Sequence, residues 1–199
     1  MIKALSASFA EWLRKEGAVP QKDQALFSYA VYSFFFGMLP ILLAFVLGVL
    51  FRMLRESMIM ILPFMLIRKF SGGYHLNNPK KCIIFSSLLL SLALWAVKIF
   101  LATQTAIPLS SLVSMATISL WVLSPIDNDA RKLSDMERHA FGRIARILSV
   151  AALTAYLAMQ VSKLKSYSVP IGVGIILVAV LQLPCIPRKL KLVLNRRAR

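Results

Sequence analysis

A histidine and a cysteine stand seven residues apart in the stretch Arg68-Lys69-Phe70-Ser71-Gly72-Gly73-Tyr74-His75-Leu76-Asn77-Asn78-Pro79-Lys80-Lys81-Cys82. The chain of 199 residues holds only two of each, so both are used sparingly. An imidazole within reach of a thiol is the minimal machinery for nucleophilic attack on a carbonyl: the base takes the thiol proton and later returns it to the leaving amine. In one continuous helix seven residues would hold the two side chains about 10 Å apart along the axis, beyond hydrogen-bond reach. The local sequence argues for a fold-back instead. Gly72-Gly73 permits backbone angles that other residues avoid, and Pro79 drives Asn78 out of the helical region.

Asn78 suits an N-cap and Pro79 the first helical position, which places Cys82 in the first turn of the next helix. There the helix terminus and the cations of Lys80 and Lys81 favour thiolate over thiol. By spacing alone, a lone histidine and cysteine at a membrane interface are more often incidental than catalytic. Cys185 lies in an apolar run between Pro184 and Pro187 and reads as an inert buried thiol, with no disulfide to Cys82 expected. His139 belongs to the mixed-charge segment Asp135-Met136-Glu137-Arg138 and reads as solvated surface. A zinc site would have to draw ligands from distant places without metal-ligand spacing, so no metal is expected.

The elements that must position this loop are apolar helices. Hydrophobic residues make up 58% of the chain and charged ones 16%, with a mean hydropathy of +0.72, too apolar for an ordinary soluble domain. Residues 26–51, 99–126 and 166–187 carry no charge, 83–101 only Lys98, and 147–162 none. A run of about 20 apolar residues is what a helix needs to cross a bilayer, and these runs are apolar on every face, unlike barrel strands. The expected fold is all-α, a polytopic membrane protein with about six transmembrane helices, at 26–51, 57–67, 83–101, 106–125, 145–162 and 167–187. The second is the weakest, being short and interrupted by Pro63, so that it either spans with the Arg52, Arg55 and Glu56 turn at the interface or re-enters. Pro40 is expected to kink the first span. Ile2, Leu5, Phe9, Trp12 and Leu13 recur at helical spacing, so residues 1–25 read as an interfacial amphipathic segment, 26–187 as the membrane domain and 188–199 as a basic tail. No cleavable signal peptide is expected.

Net charge is +16. Six spans with an inside N-terminus collect most Lys and Arg on one side, at 1–25, 68–81, 131–146 and 188–199. Only Arg52, Arg55, Lys98, Lys163 and Lys165 fall elsewhere. The positive-inside rule then puts both termini and the His75 to Cys82 loop in the cytoplasm, and assigns the basic residues to anionic lipid rather than nucleic acid.

Arg68, then Gly73, His75 and Cys82, resemble the core motif of the accessory gene regulator B (AgrB) family of quorum-sensing peptidases. Chain length and apolar layout resemble that family over nearly the whole chain. Ser124-Pro125-Ile126-Asp127-Asn128 and the charged stretch after it are similar to the family's second cytoplasmic loop. The resemblance implies a thiol endopeptidase, multi-pass in the bacterial plasma membrane, that removes the C-terminal tail of a small precursor peptide. It also implies that the enzyme helps close the product into a thiolactone or lactone, with no cofactor. His75 and Cys82 would be the catalytic pair, with Arg68, Gly72, Gly73, Asn78, Lys80 and Lys81 binding substrate or organising the loop. Gly73 would let backbone approach the scissile carbonyl, and Arg68 would bind acidic precursor residues, orient the loop or anchor to headgroups. Attack by Cys82 would leave a thioester whose energy survives if a precursor thiol, not water, accepts the acyl group. The group that orients His75 stays open among Asn77, Asn78, Gln21 and Asp23. A homodimer is compatible with so small an enzyme.

Two rivals come from other classes. A peptide transporter would normally carry ionisable residues inside its spans, and none of the confident spans contains Asp or Glu. A non-catalytic adaptor would leave Cys82 with ordinary thiol reactivity. No Gly-x-Ser-x-Gly sequence supports a serine hydrolase.

Overall fold

The computed structural model describes residues 8, 11, 12, 24–73, 79–103, 106–126, 134–162 and 164–185. Among these the regular structure is helical: α1 Gln24–Leu50, α2 Leu54–Ser71, α3 Pro79–Thr103, α4 Ala106–Leu123, α5 Asp135–Val161 and α6 Lys165–Gln182, followed by a 3-10 turn at Leu183–Cys185. Each stretch expected to span is therefore helical over most of its described residues. Three helical segments, Lys80–Thr103, Met136–Val161 and Lys165–Cys185, are long and apolar enough to cross a membrane. Residues 57–67 lie inside α2, an 18-residue helix that takes Glu56 into its first turn and Arg68 and Lys69 into its last. Of the expected N-terminal amphipathic segment, 1–25, the described residues are Ser8, Glu11 and Trp12, helical and exposed, and Gln24 and Ala25, which begin α1; the tail 188–199 lies outside the described residues.

Two compact units divide the chain, 1–43 and 44–199. In the first, residues 24–43 are helical, with Pro40 inside the helix and Phe34, Met38 and Leu42 exposed. In the second, α6 is the core. Of its span, 78% is buried, against 22% for that of α3 and 17% for that of α5, which makes α6 the helix the others surround. A helix apolar on all faces must be covered by protein or by lipid, and α6 packs against α2, α3, α4 and α5. Small residues permit the approach: a Cβ on Gly174 would lie 2.5 Å from the Met60 carbonyl oxygen, and one on Gly172 2.9 Å from the ring of Tyr156.

Several polar groups inside the bundle are paired. Tyr156, fully buried, shares its hydroxyl with Ser110 Oγ at 2.9 Å and accepts from Gln160 Nε2 at 3.0 Å. Ser57 Oγ donates to the Ala44 carbonyl at 2.6 Å, joining the end of α1 to the start of α2. The outward faces of α3 and α4 show Leu88, Leu92, Trp95 and Ile99, and Met115, Ile118 and Val122. Such exposure is costly in water and costs nothing in lipid.

α5 starts at Asp135 rather than near residue 145. Ser134 and Glu137 form a capping box: Ser134 Oγ accepts from the Glu137 amide at 3.3 Å, and Glu137 Oε2 accepts from the Ser134 amide at 3.0 Å. The box draws the charged segment that includes His139 into the helix.

Candidate active site

At the end of α2 the helix stops because Gly72 turns to φ 70° and Gly73 to φ 127°, angles that L side chains rarely adopt. Gly72 forms an isolated parallel bridge with Ile126, whose amide donates to the Ser71 carbonyl at 2.9 Å. A Cβ on Gly72 would run into the carbonyl oxygen of Ile126. The Ile126 segment follows a cis Ser124–Pro125 peptide and is backed by α5, where a Cβ on Gly142 would sit 3.0 Å from Pro125 Cδ. Phe70 packs edge-on against Phe141 of α5, ring centroids 5.8 Å apart.

Arg68 closes this turn from inside. Its Nη1 donates to the Gly72 carbonyl at 3.0 Å, and the guanidinium occupies the place a Cβ on Gly73 would need. The same position on Gly73 lies 3.1 Å from the Leu181 carbonyl, so the turn is pressed against the end of α6. Burial pushes the Arg68 guanidinium down to about 10, against the pull of Cys185 and Cys82, whose thiolates would favour the cation. Arg68 follows the apolar stretch 57–67, remains charged at neutral pH, and stands within electrostatic reach of both cysteines.

Cys82 occupies the first turn of α3, which begins at Pro79, where the sequence puts it. It is half-buried and not in a disulfide, flanked by exposed Lys80 and Lys81. His75 and Asn78 lie outside the described residues, as does the proposed fold-back between His75 and Cys82. Cys185, read from sequence as remote and inert, is half-buried in the 3-10 turn and shares the field of Arg68 with Cys82. Gly73 has a role unlike the one read from its type: its missing side chain makes room for Arg68.

Sequence reasoning missed Gln182. Fully buried in the last turn of α6, it donates from Nε2 to the Ser71 carbonyl at 3.2 Å and to Ser124 Oγ at 3.0 Å. It thus ties three segments together: the end of α2, the Ser124-Pro125-Ile126 turn and α6. Its polar side chain in the otherwise apolar run 166–187 was the available signal, since a buried amide must find partners.

Apolar exteriors around a largely buried central helix mark an α-helical membrane protein, with a polar knot of Arg68, Ser124 and Gln182 where α2 and α6 end. The family model of accessory gene regulator B matches residues 6–184, and the chain belongs to that family. A curated AgrB-like protein of Clostridium perfringens (strain SM101 / Type A) is 25% identical over 89 residues, covering 45% of this chain and 42% of that relative. The chain thus matches less than half the length of that relative. No solved structure matches.

Proposed function

We propose that the protein is a membrane cysteine endopeptidase that removes the C-terminal tail of a small signal-peptide precursor and promotes cyclisation of the remainder to a thiolactone or lactone. Cys82 attacks the scissile carbonyl, and the thiol proton passes to His75. His75 returns it to the departing amine, so the tail leaves as a neutral amine and the acyl group stays on sulfur as a thioester. A nucleophile on the precursor, Cys or Ser, then takes the acyl group, closing the ring and releasing Cys82. With a thiol acceptor the exchange is nearly isoenergetic, and shielding from water disfavours hydrolysis.

The observation that carries this reading is the placement of Cys82 in the first turn of α3, with the half-buried guanidinium of Arg68 within electrostatic reach. Arg68 in turn is held by the Gly72 carbonyl, so its charge is fixed before substrate arrives. Both termini and the loop face the cytoplasm of a bacterial plasma membrane, where the basic segments meet anionic lipid and the precursor is made. The test is tail release from a candidate short precursor peptide, measured in vesicles holding wild-type, Cys82→Ala or His75→Ala protein. Wild type releases the tail, and each variant loses at least about a hundredfold. Release by Cys82→Ala at the wild-type rate would refute the reading.

A further inference from the structure

The end of α4 leaves one carbonyl without a helical partner. The Leu120 carbonyl accepts from the Ser124 amide at 3.0 Å, and the next in line, that of Trp121, would look to the amide of residue 125. That residue is Pro125, which has no N–H to give. Arg146 of α5 takes its place. Its Nε donates to the Trp121 carbonyl at 3.3 Å, and its guanidinium carbon lies 5.7 Å from the centroid of the Trp121 ring. The cation is thus held from one edge by a backbone oxygen and from one face by an aromatic ring. Its two terminal nitrogens have no hydrogen-bond partner among the described residues. A planar fork anchored in this way suits a phosphate, which it can grip through two parallel bonds.

The surroundings point to the source of that phosphate. Arg143, exposed like Arg146, lies one turn before it on the same face of α5, and no described carboxylate pairs with either. Two cations so placed repel each other, and an anion between them relieves the repulsion. Beyond Arg146 the chain carries no charge through residue 162. Ile147 is exposed there, as are Ile118 and Val122 on α4. The change from charged to apolar on α5 and the exposed indole near the end of α4 meet at the Arg146–Trp121 contact, which marks this level as the edge of the hydrocarbon. A soluble phosphate has no use for the apolar surround, whereas the acyl chains of a phospholipid cover it.

We propose that Arg146, with Arg143 and the ring of Trp121, forms a binding site for the phosphate of an anionic phospholipid. The site requires only that the chain lies in a membrane and is independent of the peptidase reading.

Quenching of Trp121 fluorescence tests it. The chain has three tryptophans, so Trp12→Phe with Trp95→Phe leaves Trp121 as the single reporter. This full-length protein is reconstituted in phosphatidylcholine vesicles, and brominated phosphatidylglycerol or brominated phosphatidylcholine is added in increasing amounts. Half-quenching is expected at a mole fraction of the anionic lipid at least about fivefold lower than that of the zwitterionic one. Arg146→Gln brings the two lipids to within about twofold of each other. Arg146→Lys, which keeps the charge and loses the fork, gives an intermediate preference, a readout that stands if Arg146→Gln fails to insert. Lys98→Gln, an exposed cation on α3, leaves the preference at the wild-type value. Soluble glycerol phosphate, which carries the headgroup phosphate without chains, does not relieve the quenching. Equal quenching by the two lipids before any arginine is changed, or a full preference kept in Arg146→Gln, would overturn the site. Relief by glycerol phosphate would assign it to a free anion and overturn the lipid.

Discussion

The guanidinium of Arg68 and the carbonyl of Gly72 meet at 3.0 Å, so the last turn of α2 is closed by its own side chain just before the chain departs toward the candidate base. This contact makes one cation serve two purposes. It fixes the backbone at the loop root, and it brings positive charge within reach of the candidate nucleophile.

Gly73→Ala should break this arrangement. The new methyl group would occupy the position of Arg68 Nη1, and φ 127° is strained for any L residue. Strain of this kind costs about 1–3 kcal/mol. The variant is expected to insert in the membrane, melt at lower temperature and lose tail release at least about tenfold, as thermal unfolding and a cleavage assay would show.

Arg68→Lys keeps a charge but loses the planar fork, so the bond to the Gly72 carbonyl cannot be kept in the same geometry. Tail release should fall about tenfold while abundance in the membrane stays near wild type. Because burial depresses the Arg68 pKa, the charged form is costly in the folded protein below about pH 10, and that cost lifts as pH rises toward the unfolded value. The neutral Arg68→Met therefore removes a buried charge. It should keep its melting temperature within a few degrees and lose more activity than the lysine variant, a split that separates a functional cation from a structural one.

Gly174→Ala probes the core instead. Its Cβ would press 2.5 Å from the Met60 carbonyl oxygen and 3.0 Å from Pro63 Cγ, forcing α2 and α6 apart. Overpacking of this kind costs about 1–3 kcal/mol. A lowered melting temperature in detergent is expected, and an unchanged one would contradict the close helix contact.

Ser134→Ala removes half of the capping box at the start of α5. The expected loss is about 1 kcal/mol, with cleavage at the wild-type rate, because the box holds a helix end and touches none of the candidate site residues.

Much of the fold could be read from residue types. Uncharged runs such as 26–51 and 166–187 admit helices alone in lipid, and α-helix covers 26–50 of the first and 166–182 of the second. Cys82 could be placed from Asn78-Pro79, because proline suits a first helical turn and excludes little else. The start of α5 was misjudged because Ser134 and Glu137 precede a charged stretch, not the apolar run that usually marks a capping box. Gly73 was read by its freedom of φ, whereas its second constraint, the room for Arg68, depends on a side chain five residues away. Gln182 and Cys185 were out of reach for another reason. Their partners lie on other helices, and a lone polar residue in an apolar run announces a need for partners without naming them.

The central claim is that Cys82 carries the acyl group. Intact-protein mass spectrometry, after brief mixing of the full-length enzyme with its precursor and acid quenching, reads this directly. The predicted result is a mass increase equal to the precursor without its tail, localised to Cys82, removed by hydroxylamine and absent in Cys82→Ser under the same conditions. Rapid tail release with no adduct on Cys82 in the wild type, together with equal release by Cys82→Ser, would contradict the account.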